Sequence, residues 1–294
     1  MVDLSGGTFL MGSDDFYRDE RPVHARQVDA FAIDRYAVTN AQYAAFVDAT
    51  GYLTVAEREL DPKDFPGADP AELVAGAMVF TPTDGPVDLR NWRNWWRWQP
   101  GAFWRRPFGP DSGVEDRLDH PVVHVAFEDA SAYAEWAGLR LPTEAEHEYA
   151  ARGGVDGQQF AWGSEPYPDG VPQANTWIGP FPWDNKGYGG TAPVGSFPAN
   201  GFGLFDLIGN TWEWTTDYYR PGHHPMPALD LSGKTDLLAQ ASAEPGFAIP
   251  RRVLKGGSFL CSPEYCLRFR PAARSPQAED TGMSHVGFRC ARDL

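Results

Sequence analysis

Glycine and proline interrupt this chain along its whole length and limit how much regular structure it can form. Of its 294 residues, 31 are glycine and 26 are proline, so about a fifth of the positions tend to end helices and strands. Hydrophobic residues still make up 42% of the chain, which is enough for a large buried core. No stretch has the composition of a flexible linker. We therefore expect a single α+β domain over residues 1–294, with little regular secondary structure and many structured loops.

The charge of the chain limits its partners. Asp and Glu number 40 against 25 Lys and Arg, a formal net charge of −15, which argues against nucleic acid and against anionic membrane surfaces as partners. No basic, apolar leader precedes Gly6, and no apolar run approaches the roughly 18 residues of a membrane-spanning helix. A cytoplasmic location is the expectation.

Capping residues and hydrophobic spacing predict several short elements. Helices are expected after Thr39, ending at Gly51; from Asp129 to Ala137; and after Thr143, ending at 153–154. Strands are expected at residues 8–11, 31–33, 121–125 and 286–290. Arg268 and Arg270 alternate with Phe269, so on a strand they would share one face. Residues 52–118 stay unassigned, and only short strands and loops are expected after 154.

The chain has three cysteines, and all of them fall in its last 34 residues: Cys261, Cys266 and Cys290. Cys261 and Cys266 flank a proline within residues 251–274, where six basic residues face one acid. Nearby cations stabilise a thiolate and raise its affinity for soft metals. Cys290 alternates with apolar neighbours, which predicts that it packs inward.

Three interpretations of the cysteine pair remain open on these grounds. The pair could be a structural disulfide, two inert buried thiols, or a redox or metal-binding pair. A zinc site is disfavoured because it normally requires four Cys or His ligands and the chain has no Cys-X-X-Cys spacing. Two thiolates suit a soft ion of low coordination number such as Cu(I).

Motifs spread over nearly the whole chain resemble one known family. They include Gly-Gly-Thr-Phe at 6–9, Leu-Arg-Leu-Pro-Thr-Glu-Ala-Glu at 139–146, Gly-Asn-Thr-Trp-Glu-Trp at 209–214, Gly-Gly-Ser at 256–258 and Gly-Phe-Arg-Cys at 287–290. In this order they resemble the formylglycine-generating enzymes, also called sulfatase-modifying factors. The cysteine pair distinguishes these enzymes from many relatives of the same superfamily. The resemblance implies the sulfatase-modifying-factor fold, which is similar to C-type lectin folds.

The resemblance also implies a reaction. Members oxidise the cysteine of a Cys-X-Pro-X-Arg motif in an unfolded sulfatase polypeptide to Cα-formylglycine, using O2, a thiol reductant and Cu(I). By matching positions, Cys261 and Cys266 would hold the copper ion. The remaining residues matched to the family's active site are Ser258 and Trp212 beside the reacting centre, Arg268 near the metal, and Tyr265 and His285 toward the substrate. His285 stands where better-known members carry Asn.

Two calcium sites are implied in the same way. Asp206, Gly209, Thr211 and Glu213 surround a Gly-Asn turn, where two carboxylates and backbone carbonyls offer the oxygen donors that Ca²⁺ requires. A second family site matches Asn175 and Thr176. At the position where the family site has a carboxylate ligand, this chain has Lys186. The second site would therefore need the carboxylate of Asp184 as a replacement ligand.

Other interpretations stay open for the chain and for single residues. The pair could cycle as a disulfide in a thiol-disulfide oxidoreductase, or the chain could be a non-catalytic binding module of the same fold. Ser258 could be a turn hydroxyl, Trp212 a core aromatic, and Arg268 part of a salt-bridged edge. The run of Trp and Arg at 91–98 favours Arg–Trp stacking, with a wall of a peptide groove as the second option.

Overall fold

The computed structural model describes residues 1–60, 62, 69, 73–223 and 235–294, and it contains short helices and strands joined by long loops. The helices are α1 (Asn40–Thr50), α2 (Phe127–Trp136), α3 (Glu144–Arg152) and α4 (Thr235–Ser242). The strands are β1 (Val2–Leu4), β2 (Gly7–Met11), β3 (His24–Val28), β4 (Phe31–Ile33), β5 (Gly76–Phe80), β6 (Trp96–Pro100), β7 (Trp212–Tyr218), β8 (Arg251–Lys255), β9 (Arg274–Ala278), β10 (Val286–Gly287) and β11 (Ala291–Asp293).

The strands form small sheets that bring distant parts of the chain together. One sheet has the order β1-β4-β11, so that the two ends of the described chain flank β4. A second has the order β10-β7-β8-β9, in which β7, β8 and β9 are antiparallel and β10 lies parallel to β7. The pairs β2-β3 and β5-β6 are antiparallel ribbons. The second sheet matters most for function, because β8 leads directly into the cysteine segment.

Two of the predicted helices are confirmed by their caps. Thr39 caps α1: its hydroxyl accepts from the backbone N–H of Gln42 at 3.3 Å, and its own N–H donates to Oε1 of Gln42 at 2.9 Å. Thr143 and Glu146 form the same capping box at α3. The left-handed Gly51 ends α1 as predicted, with φ of 68°.

The helix expected near Asp129 to Ala137 is confirmed as α2. It begins two residues earlier, because the Asp129 carboxylate accepts from the N–H of Ala126 at 2.8 Å and so lies inside the first turn. Other predictions about elements were wrong. Residues 121–125 do not form a strand: Pro121 makes an isolated bridge to Thr39, and His124 turns the chain with φ of 60°. Arg268 and Arg270 lie on irregular backbone outside any strand, and the predicted strand at 286–290 is limited to β10. Helix α4 was not predicted.

Aromatic side chains dominate the main core. Tyr43 of α1 contacts Phe46, Trp104, Tyr133 and Phe288 with ring centroids 5.2–6.3 Å apart. The same buried cluster extends to Trp212, Cys261 and Cys290, so the cysteine segment is packed against the core. Low helix content together with several small sheets confirms the α+β class. Among the described residues, none of the helices has the length and apolar character needed to cross a membrane.

Candidate active site

A glycine pair carries the chain from β8 into the cysteine segment. Gly256 and Gly257 have φ of 92° and 79°, in the left-handed region that favours glycine. A Cβ atom on Gly257 would lie 2.7 Å from the carbonyl oxygen of Arg268 and 2.8 Å from Cα of Phe269. Only glycine therefore lets this turn pass so close to the backbone that follows Cys266.

Two tight turns then bring the thiols together. The N–H of Cys261 donates to the Ser258 carbonyl at 2.9 Å, and the N–H of Cys266 donates to the Ser262 carbonyl at 2.8 Å. As a result the two Sγ atoms lie 3.7 Å apart. This separation is well beyond the roughly 2.05 Å of a disulfide bond, and both cysteines are free thiols. Cys261 is buried, whereas Cys266 is partly accessible.

The two thiols differ in their acidity. Hydrogen bonding with Cys261 and the positive charge of Arg268 lower the pKa of Cys266, against the opposing effect of burial. The contact with Cys266 and burial raise the pKa of Cys261. Cys266 is therefore the more acidic thiol of the pair.

A loop near the N-terminus holds the segment that follows Cys266. Arg268 forms an ion pair with Asp19 at 2.9 Å, and its guanidinium lies 4.0 Å from the ring centroid of Tyr17. Arg270 forms two bonds with the buried Glu20, at 2.6 and 2.9 Å. No local sequence pattern links these residues, because the partners are about 250 positions apart.

Ser258 and Trp212 both lie in the core next to the pair. Ser258 is fully buried, and its hydroxyl accepts from the N–H of Leu260 at 3.3 Å. Its N–H faces Sγ of Cys261 at 3.5 Å. Trp212 belongs to the same hydrophobic cluster as Cys261, and its backbone N–H donates to the carbonyl of His285 at 2.9 Å. The turn-hydroxyl and core-aromatic descriptions therefore apply, and for Ser258 the contact with Sγ adds a position beside Cys261.

Aromatic rings extend from the pair toward the surface. Tyr265 is 37% exposed and stacks on Phe181 with centroids 4.3 Å apart, and Trp95 meets Tyr265 edge-on at 5.6 Å. Burial raises the pKa of Tyr265 to about 12, so its hydroxyl stays protonated. These rings form a wall next to Cys266 that a peptide could contact.

The tryptophan-rich run shows the predicted Arg–Trp stacking, whereas its role in a peptide groove stays a prediction. Arg93 lies over Trp92 at 5.2 Å, and the nearby Arg105 lies over Trp104 at 4.7 Å, so Arg–Trp stacking is present. Trp95 instead packs against Tyr265 in the aromatic wall.

His285 lies on another tryptophan of the same region. Its ring centroid is 4.8 Å from that of Trp96. Burial lowers the pKa of His285 to about 3, so the ring is neutral at physiological pH. Its Nδ1 atom is buried and has no hydrogen-bond partner among the described residues.

The residues of the first implied calcium site border the cysteine segment. Asp206 and Gly209 both have positive φ, and the N–H of Gly209 donates to the carbonyl of Gly256 at 2.9 Å. Asp206 accepts a bond from Gly195 N–H at 2.7 Å, and burial raises the pKa of its carboxyl. The nearby Glu213 carboxylate is bound by Arg289 at 2.6 and 2.8 Å and by His147 at 2.9 Å.

This donor set fits a calcium ion at Asp206 better than at Glu213. The Asp206 carboxylate is desolvated and is not in an ion pair among the described residues, so a cation would stabilise its charged form. Glu213 would have to share its oxygens with Arg289 and His147. The backbone carbonyls of Gly209 and Thr211 complete the set of possible oxygen donors.

The second implied calcium site lacks a suitable carboxylate. The Asn175 side chain donates to Asn210 and to Gly190, and the Thr176 hydroxyl bonds to Tyr167. Asp184, which would have to complete the site, forms an ion pair with Lys186 at 2.6 Å. In this arrangement these residues do not fit a second ion.

Cys261 and Cys266 offer a donor set that fits Cu(I). Within the described parts of the chain, His, Cys, Asp and Glu side chains do not converge in groups of three or more that could hold a metal ion. Zn²⁺ sites normally use three or four protein ligands, whereas two soft thiolates suit an ion of low coordination number. The residues therefore favour Cu(I) over zinc.

Comparisons with known proteins agree with this geometry. Residues 1–294 match the model of the sulfatase-modifying factor enzyme 1-like domain. The formylglycine-generating enzyme of Mycobacterium tuberculosis is 58% identical, over 100% of this chain and 97% of that protein. The enzyme of the same name from Thermomonospora curvata is 46% identical over 100% and 93%. PvdO from Pseudomonas aeruginosa has a similar structure, with a TM-score of 0.61 and 28% identity over 99% of this chain and 93% of that one.

Proposed function

The chain belongs to the sulfatase-modifying factor family and, within it, to the formylglycine-generating enzymes, and from this premise we propose that it acts as a copper-dependent oxidase. Its reaction is the conversion of a sulfatase cysteine into Cα-formylglycine. The proposed substrate is an unfolded segment with the sequence Cys-X-Pro-X-Arg, and the proposed oxidant is O2.

The observation that carries the proposal is the free thiol pair. Cys261 and Cys266 have Sγ atoms 3.7 Å apart, and Arg268 lowers the pKa of the more accessible thiol. Both thiols would hold Cu(I), which supplies a soft binding site for the substrate thiolate and one-electron chemistry with O2. Cys290 takes no part, because it is fully buried and its pKa is raised by burial.

The balance of the reaction requires a reductant. Conversion of a Cys side chain, CH2SH, to an aldehyde breaks the C–S bond and one C–H bond, and it releases sulfide and two electrons. Reduction of O2 to two water molecules takes up four electrons, and one water molecule is consumed in forming the aldehyde oxygen. A thiol reductant must therefore supply two electrons and two protons in each turnover.

The chain's own residues would orient the substrate and limit access of water. Tyr265 and Phe181 form a stacked apolar wall beside Cys266, suited to an extended peptide. Ser258 is fully buried and contacts Sγ of Cys261 through its N–H, and the buried Trp212 belongs to the same hydrophobic cluster as Cys261. His285 is neutral, so it can exchange a hydrogen bond with the substrate without adding charge.

The first calcium ion is proposed as a structural cofactor. Asp206 would bind it, with backbone oxygens of Gly209 and Thr211, while Glu213 stays bound to Arg289 and His147. Its function would be to stabilise the turn that contacts Gly256, and through Gly256 the start of the cysteine segment. No chemical step is assigned to this ion.

A second candidate function is thiol-disulfide exchange, which the spacing of the two sulfurs also supports. A shift of less than 2 Å would let Cys261 and Cys266 form a disulfide. Such an exchanger would need neither copper nor O2 and would form only disulfides. The two functions therefore differ in their co-reactants and in their products.

The decisive experiment uses a peptide that contains Cys-Thr-Pro-Ser-Arg. The protein is incubated with it in air, with and without Cu(I) and dithiothreitol, and the products are measured by mass spectrometry and aldehyde trapping. We expect copper-dependent loss of sulfide and formation of the aldehyde. Anaerobic incubation and omission of copper should each abolish the product.

Single cysteine variants provide matched controls. Cys261→Ala and Cys266→Ala should lose both Cu(I) binding and turnover, whereas Cys290→Ala, which also removes a thiol, should keep both. Formation of disulfides alone, with copper and reductant present, would support the exchange reaction instead. Tight stoichiometric Cu(I) binding by Cys266→Ala would refute the copper site.

A further inference from the structure

A tyrosine from the N-terminal loop contacts the backbone next to Cys266. The N–H of Leu267 donates to the phenolic oxygen of Tyr17 at 3.0 Å, across 250 positions of sequence. This N–H belongs to the peptide bond that joins Cys266 to Leu267. The hydroxyl of Tyr17 therefore fixes the plane of that peptide and, with it, the direction in which the Cys266 side chain leaves the backbone.

The ring of Tyr17 is itself held in place. The guanidinium of Arg268 lies over it at 4.0 Å, and that of Arg270 lies 5.8 Å from its centroid. Asp19 and Glu20, two and three residues further on, bind the same two arginines. The ring is consequently fixed by contacts that do not involve its hydroxyl, so the hydroxyl can be removed without freeing the loop.

The neighbouring hydrogen bonds of the cysteine segment do not involve the Leu267 N–H, which bonds to Tyr17. Cys266 N–H is bound within its own turn, by the Ser262 carbonyl at 2.8 Å. Arg270 Nε donates to the carbonyl of Leu267 at 2.7 Å, which holds the far side of that residue. Loss of the Tyr17 oxygen would leave the Leu267 N–H without its partner in a half-buried position, and the backbone would rotate to find another.

We propose that Tyr17 is a positioning residue for the copper site: by accepting the Leu267 N–H it holds Cys266 at the separation from Cys261 that Cu(I) binding requires. The inference rests on the proposed function, since it takes the cysteine pair as the copper ligands. Tyr17 acts through the backbone of Leu267 and needs no contact with the substrate. A site that is already ordered before the ion binds has less conformational freedom to lose on binding.

The test is Tyr17→Phe, which keeps the ring under Arg268 and removes only the hydroxyl. Tyr219→Phe is the matched control, because the Tyr219 hydroxyl donates to Asp19 of the same loop at 3.3 Å and its ring packs on Arg274. Cu(I) affinity is measured anaerobically by competition with a chromogenic chelator. We expect about tenfold weaker binding for Tyr17→Phe and wild-type affinity for Tyr219→Phe.

Two further measurements separate positioning from a general loss of stability. Turnover of Tyr17→Phe should fall at limiting copper and recover when Cu(I) is raised, with the KM for the peptide unchanged. Hydrogen exchange of the peptide containing Leu267 should be slow in the wild type and faster in Tyr17→Phe, and this measurement needs neither copper nor substrate.

The outcomes are distinguishable. If the wild type binds Cu(I) and Tyr17→Phe binds it equally well, the role of Tyr17 is overturned while the copper site stands. If the wild type binds no Cu(I), the proposed copper chemistry fails, and this inference fails with it. Rapid exchange of the Leu267 N–H in the wild type would overturn the positioning role even if the variant does not fold.

Discussion

Glu20 and Arg270 form a fully buried, two-pronged ion pair that joins the N-terminal loop to the cysteine segment. The two bonds measure 2.6 and 2.9 Å, and 250 positions separate the residues. Phe16 covers the guanidinium at 3.8 Å. Neither charge has access to water, so each depends on the other for its stability.

Removing one charge of this pair should destabilise the whole protein. For Glu20→Gln we expect a loss of about 3–5 kcal/mol in the free energy of unfolding, because Arg270 would stay buried without a counter-charge. Urea denaturation followed by tryptophan fluorescence measures this loss. Asp48→Asn, which breaks the exposed pair with Arg105, should cost less than about 1 kcal/mol. Equal effects of the two variants would contradict the assigned role of burial.

The glycine turn before the cysteines should not tolerate a side chain. Gly257→Ala would place a methyl group 2.7 Å from the Arg268 carbonyl oxygen, at a φ of 79°. We expect a loss of more than about 2 kcal/mol in stability, together with loss of Cu(I) binding. Gly51→Ala has a similar φ of 68° with nothing within 4 Å, so it should cost only about 1–2 kcal/mol and keep copper affinity. Retention of copper binding by Gly257→Ala would contradict the close approach.

The calcium proposal predicts stabilisation by added ion. Wild-type protein should melt at a higher temperature with Ca²⁺ than with a chelator, with a gain of about 2.7 kcal/mol when the free ion is at a hundred times its dissociation constant. Asp206→Asn should remove this difference. Asp217→Asn is the matched control, because Asp217 is also a buried carboxylate bonded to a backbone N–H, at 2.6 Å from Glu144. A wild-type melting curve unchanged by the chelator would exclude the ion.

Acidification should destabilise the protein through His124. Burial lowers the pKa of this histidine from 6.5 to about 4, and its Nε2 atom contacts the Pro107 carbonyl at 2.8 Å. The unfolded chain therefore takes up a proton near pH 6.5 while the folded one does not. The stability that comes from keeping His124 neutral and buried is fully present above pH 6.5 and is lost as the pH falls toward 4. The free energy of unfolding changes by up to about 1.4 kcal/mol per pH unit in this window.

The measurement compares wild type with His124→Asn, because Asn tolerates the φ of 60° at this position. Unfolding free energies are determined by urea denaturation at several pH values between 4 and 7. The difference between the two proteins should change by about 3 kcal/mol over this range, with the wild type losing more at low pH. A constant difference would show that His124 does not titrate as described.

Local features of the sequence predicted local structure well. The caps at Thr39 and Thr143 act within four residues, and both helices form where these residues place them. The strand expected at 121–125 failed because the Pro-Val-Val-His-Val segment alone did not reveal the turn at His124. Arg268 and Arg270 were expected to share a strand face, but their partners Asp19 and Glu20 determine their positions instead.

In the candidate site, too, local contacts could be predicted from the sequence and long-range contacts could not. Cys261 and Cys266 were found from their spacing and the surrounding charge, and the turns that join them are local. Tyr17 was missed because a hydrogen bond to a backbone N–H leaves no trace in the sequence of either partner. Such contacts depend on the complete tertiary fold, which residue patterns within one segment do not encode.

The distance in sequence between the N-terminal loop and the cysteine segment has a consequence for biosynthesis. Residues 16–20 are synthesised about 250 residues before Arg268 and Arg270, to which they bind. The N-terminal loop must therefore wait for these partners while the intervening residues are translated, and the contacts that hold the segment after Cys266 form only once residue 270 has been made. Under the copper proposal, loading of the ion would follow this step, because a nascent chain without the cysteine segment has no thiol pair to bind it.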